Sequence, residues 1–66
     1  MNTVYEYTDF VGTSTKSIED AVSSAVEAVS ATKKIGWFEI VSVRGRVVDV
    51  SNELEYQVSI RFGCKL

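Results

Sequence analysis

The residue of this sequence most in need of a partner is its single tryptophan, Trp37, and an amide twenty residues later, Gln57, shares its side of the sheet. The best pairing of the C-terminal half as a β-hairpin puts both on the polar face, where a large aromatic ring has no core to enter and needs another partner. In that register Trp37 lies across from Gly63 and Gln57 lies beside Val43. Six residues of strand, roughly 20 Å at about 3.3 Å per residue, separate the two sites. One subunit cannot clamp a small molecule with both, so a shared ligand requires them to meet across an interface between chains. With no ligand at all, Trp37 reads as an aromatic packed between subunits.

The remaining reactive residue types point away from bond-making chemistry. Cys64 lacks an activating base in a chain without histidine and reads as a half-buried apolar filler. Glu6, Glu39, Glu53 and Glu55 are strand carboxylates of the kind usually solvated, and Glu39 falls opposite Arg61 as an ion pair. Gly12, Gly45 and Gly63 are scattered over three elements and form no phosphate-cradling loop.

These positions depend on the elements that carry them. Leu54, Tyr56, Val58, Ile60, Phe62 and Cys64 alternate with Glu55, Gln57, Ser59, Arg61 and Lys65, which is the pattern of a strand with one buried side. The run 36–44 is also β-rich, and residues 49–52 supply turn formers. A loop of Asp49, Val50 and Ser51 sets Phe38 opposite Phe62, Ile40 opposite Ile60 and Glu39 opposite Arg61. It also aims Arg44 toward the core face. Residues 4–13 read as a first strand, with Tyr5 and Tyr7 on one side and Thr8 and Phe10 on the other. Ser17 is a candidate N-cap for a helix over 17–33, with Glu19 and Asp20 in its first turn and Lys33 and Lys34 at its end. Its apolar stripe is Ile18, Val22, Ala25 and Val29, widened by Ala21, Ala28 and Thr32.

The order strand, helix, strand, strand predicts one α+β domain over 1–66. A chain of 66 residues buries only about 60% of its unfolded surface, so a monomer is marginal. One cysteine and no histidine exclude an internal disulfide and leave a Cys/His zinc site unsupported. One short helix cannot cover strands of this length, and association of identical copies is the remedy left. A net charge of −2 argues against nucleic acid as a partner. No basic leader or bilayer-length apolar run stands in the sequence, and a cytoplasmic location with no membrane partner is expected.

Three ordered motifs span essentially the whole chain: Val11-Gly12-Thr13-Ser14 before the helix, Gly36-Trp37-Phe38-Glu39 with Arg44-Gly45, and Glu55-Tyr56-Gln57-Val58 with Gly63, Lys65 and a final leucine. In these the sequence resembles the dodecins, small flavin-binding proteins with no established catalytic turnover. The resemblance implies a β-α-β-β fold in which a three-stranded antiparallel sheet wraps around one helix, assembled as a hollow homododecamer. It implies that Trp37 stacks on a flavin ring, that Gln57 bonds the pyrimidine edge, and that Arg44 meets a phosphate of FMN. Lys65 stands in the place of a usual C-terminal arginine, keeping the charge without the planar fork. FMN, riboflavin or FAD is then the expected cofactor, with coenzyme A as a further candidate ligand.

Overall fold

The computed structural model describes residues 2–66; Met1 lies outside the described residues. Four elements follow one another: β1 (Tyr5–Ser14), α1 (Ile18–Ser30), β2 (Lys34–Val48) and β3 (Glu53–Lys65). All strand pairs are antiparallel, in the order β1-β3-β2, so the cleanly alternating last strand is the middle of the sheet. Its inward residues Val58, Ile60, Phe62 and Cys64 are buried against Ala21, Ala25 and Val29 of α1. Lacking a partner thiol, Cys64 fills space in this core.

The helix begins where the sequence predicts and ends earlier. Ser17 is the N-cap, and its side chain accepts a 3.0 Å hydrogen bond from the Asp20 N–H. The Ser14 hydroxyl donates to Asp20 Oδ2 at 2.6 Å, tying the end of β1 to the first turn. Ala21, Ala25 and Val29 follow an i, i+4, i+8 row, and its two alanines let the helix lie close to the sheet. Ile18 and Ala28, expected on the buried stripe, are exposed, and Val26 packs against the core instead. The helix stops at Ser30 rather than residue 33: the Lys33 N–H caps Val29 O at 2.9 Å, its Nζ reaches Glu6 at 3.1 Å, and Lys34 already opens β2.

Closest approach between helix and sheet falls at Gly12. A Cβ there would lie against the Ala21 carbonyl oxygen and 3.1 Å from the Ala25 Cβ.

The β2/β3 register agrees with expectation at Phe38 opposite Phe62, Glu39 opposite Arg61 and Ile40 opposite Ile60, then shifts by one residue between Ile40 and Ser42. Val41 is the extra residue of a bulge. Below it Arg44, not Val43, lies across from Gln57, and Val43 lies across from Val58. The connection is correspondingly four residues, 49–52, instead of three, with Asn52 in the left-handed region at φ 59° and its N–H bonded to Val48 O at 2.9 Å. A second irregularity at Gly36 separates Ile35, which packs on the core, from Trp37, which faces the other way.

The 13 residues of α1 rise about 20 Å, whereas the 15 residues of β2 span about 50 Å. The fold is accordingly long and thin, 54 × 20 × 14 Å. Phe38, Ile40, Val43, Val47 and Leu54 stay about half exposed, out of the helix's reach. Among the described residues no helix is long and apolar enough to cross a membrane.

Replacing Gly12 with alanine should force helix and sheet apart and cost about 1–3 kcal/mol. Urea unfolding monitored by circular dichroism measures it, and an unchanged midpoint would refute the tight contact.

Candidate functional site

The sheet face turned away from α1 is a set of rungs. Each rung has one residue from the central strand and its partners from the two edges: Tyr5, Lys65 and Lys34; Tyr7, Gly63 and Trp37; Asp9, Arg61 and Glu39; Val11, Ser59 and Ser42; Thr13, Gln57 and Arg44. Glu55 and Arg46 continue the ladder toward the turn.

Trp37 occupies the rung whose middle residue has no side chain. A Cβ on Gly63 would collide with the Cε2 and Cζ2 atoms of the indole, so the ring lies directly over the Gly63 backbone. From β1, Tyr5 tilts against it at 4.9 Å between centroids and 55°, and Tyr7 meets it edge-on at 6.2 Å and 88°. These distances fall in the range of favourable aromatic pairs. The indole is thus seated and flanked, yet still 42% exposed. The two tyrosines were not singled out from sequence as site residues; their shared side of β1 was the available signal, and the central place of β3 brings that side to Trp37 across the glycine.

The rung below ties down Arg61. Its Nε–H donates to Asp9 Oδ1 at 3.0 Å and its guanidinium sits 4.9 Å over the Tyr7 ring. The expected partner, Glu39, does lie across from it, but the guanidinium leans toward β1, where both a carboxylate and an aromatic face receive it. The hydrogen bond from Arg61 to Asp9 keeps its proton even more firmly held than usual.

At the far end Arg44, expected to aim toward the core, points outward because the Val41 bulge reverses the phase of β2. Its Nε–H donates to Gln57 Oε1 at 2.8 Å. The Gln57 amide in turn donates to Glu55 Oε1 at 3.1 Å, and that oxygen also accepts from Arg46 Nε at 2.7 Å. Hydrogen bonding by Arg46, and next by Gln57, holds the Glu55 carboxyl below the ordinary glutamate range. Arg44 and Gln57 are therefore one unit, while Trp37 lies three rungs, or six residues of β3, away, roughly 20 Å. Lys65 shares the outward face with Trp37, two residues along β3 from Gly63, and stands directly between Tyr5 and Lys34. Among the described residues no cluster of histidine, cysteine, aspartate or glutamate could hold a metal ion.

A seated, half-open indole at one end of a protomer and a donor–acceptor amide at the other suit a flat heteroaromatic ligand held between copies. The chain as a whole has known relatives. The Dodecin family model matches residues 4–66. The dodecin of Thermus thermophilus is 33% identical over 67 residues, covering 100% of this chain and 96% of that protein. Among solved structures, the dodecin from Streptomyces davaonensis superposes with a TM-score of 0.90 at 34% identity, covering 100% of this chain and 97% of the other. The dodecin from Streptomyces coelicolor gives 0.88 at 37% identity, covering 98% and 93%. The chain belongs to the dodecin family, and its β-α-β-β fold with one helix on a three-stranded antiparallel sheet is the family's fold.

Two measurements check the geometry. Gly63→Ala should push the indole off its seat, shifting Trp37 emission to the red, and an unmoved spectrum would contradict the contact. Glu55, followed by carboxyl-carbon NMR, should titrate below the usual glutamate range and move back toward it in Arg46→Ala. Because its folded-state pKa is depressed, the stability it contributes is present above its unfolded value and lost as pH falls through the depressed one.

Proposed function

We propose that the protein binds flavin reversibly between identical subunits of a hollow homododecamer, storing and sequestering it and protecting it from light, without making or breaking bonds. The observation that carries this reading is the indole of Trp37, seated over Gly63, flanked by two tyrosines and still 42% exposed to an aromatic partner.

In this reading each flavin uses Trp37 of one copy and Gln57 of another, since the two are too far apart to share a ligand within one protomer. The indole stacks on the tricyclic ring and quenches its excited state by electron donation. Gln57 bonds the uracil-like edge, having one lone pair and one N–H left after its bonds to Arg44 and Glu55. Arg44 spends its Nε on Gln57, which leaves its terminal nitrogens for a phosphate, and Lys65 supplies a second positive charge beside the tryptophan. Those cations favour a phosphate-bearing flavin such as FMN over riboflavin, and they suit the phosphates of FAD and coenzyme A as well. The uncovered apolar residues of β2 supply the surface for assembly. A cytoplasmic protein without nucleic-acid or membrane partners fits the same account.

Mixing the purified protein with FMN or riboflavin should abolish most of the flavin fluorescence. Trp37→Ala should weaken binding by about 1–3 kcal/mol, the usual worth of stacking a ring on an aromatic side chain. Gln57→Leu should weaken it while the particle mass stays the same. Undiminished flavin fluorescence with the native protein would reject the proposal.

A further inference from the structure

Gln57 does not stand alone on the outward face; it is the middle of a chain of charged hydrogen bonds. Arg44 Nε donates to its Oε1 at 2.8 Å, and its Nε2 donates to Glu55 Oε1 at 3.1 Å. Arg46 Nε anchors the same glutamate oxygen at 2.7 Å. The two ends of this chain make opposite demands. A guanidinium only donates and an ionised carboxylate only accepts. Rotating the amide by half a turn would set two donors against each other at Arg44 and two acceptors against each other at Glu55. Both ends therefore enforce one orientation, and bonds involving charged groups are the stronger kind. Glu55 is held ionised by the same hydrogen bonds, so it goes on accepting.

The chain exists because of local register. Glu55 and Gln57 are two residues apart on the central strand and so share a face, and the Val41 bulge brings Arg44 and Arg46 across from them. Without the bulge both arginines would face the helix side.

We infer that Glu55 and Arg44 are positioning residues that lock the Gln57 amide in one orientation, so that the site selects ligands whose edge carries a ring N–H next to a carbonyl. That is the imide edge of a flavin's pyrimidine ring, and the inference rests on the flavin reading above. Orientation matters because a freely turning amide can present its oxygen or its nitrogen at either place and tolerates an edge with the N–H blocked. A locked one cannot, and the second lone pair of its oxygen is left without a donor by such a ligand.

The test compares riboflavin with N3-methylriboflavin, which stacks alike but has lost the ring N–H, on the assembled protein. Fluorescence quenching gives both affinities, and native mass spectrometry follows the particle. The native protein should prefer riboflavin about tenfold or more, as expected when a hydrogen-bonding group is left without its partner. Glu55→Gln, which keeps the size but can donate as well as accept, should lower that ratio with the particle mass unchanged, Arg44→Leu should do the same, and the two together should bring it close to one. A merely structural role would lower both affinities together and leave the ratio intact, and that result would overturn the inference. Equal binding of the two compounds by the native protein would overturn it too, while leaving the flavin proposal standing. Binding of neither compound would remove the flavin proposal and this inference with it.

Discussion

The contact between the Trp37 ring and the bare Gly63 backbone is the constraint from which the outward face takes its form. Any side chain at 63 would occupy the space of the indole, so the central strand must carry a glycine where every neighbouring outward position carries a polar or charged group. The glycine does more than make room. It opens a gap across the central strand through which Tyr5 and Tyr7 of the opposite edge reach the indole and fix its tilt. A single missing Cβ thus joins all three strands into one aromatic platform.

A second constraint is the mismatch between a short helix and long strands. The core is narrow, made among the described residues of seven buried side chains from α1 and β3, while β2 beyond Ile35 contributes an edge whose apolar residues stay half exposed. Exposed apolar strand of this length is a surface for identical copies. Along this sheet the indole and the amide are six residues of β3 apart, roughly 20 Å. An assembled shell would solve both problems at once, covering the edge and bringing Trp37 of one copy toward Gln57 of another.

Much of this was legible in the chain. Strict alternation from Leu54 to Lys65 defined the buried side of β3, and the pairing of Phe38 with Phe62 and Ile40 with Ile60 followed from matching apolar residues, as did the place of Trp37 over Gly63. The Val41 bulge was missed because Ile40 and Val41 are both apolar, which conceals a change of phase. Its trace lies further along: Ser42, Arg44 and Arg46 are polar at even numbers while Val43 and Val47 are apolar at odd ones, the reverse of Phe38-Glu39-Ile40. Reading the phase on both sides of residue 41 would have turned Arg44 outward and set it beside Gln57. The turn toward Asp9 could not be read at all, since Arg61 has a carboxylate on each side and only the Tyr7 ring decides between them. Past the early end of α1, Lys33 reaches the sheet through Glu6, a partner on β1 that helical spacing does not reveal.

The account stands or falls on a guest held between copies by the indole of one and the amide of the next. Native mass spectrometry of the protein after addition of FMN addresses this in one spectrum, because it weighs the assembly and its ligand together. The prediction is a twelve-subunit particle that retains flavin and loses it when Trp37 is replaced by alanine. A folded single subunit at micromolar concentration, or a particle that takes up flavin equally well without the tryptophan, would contradict it.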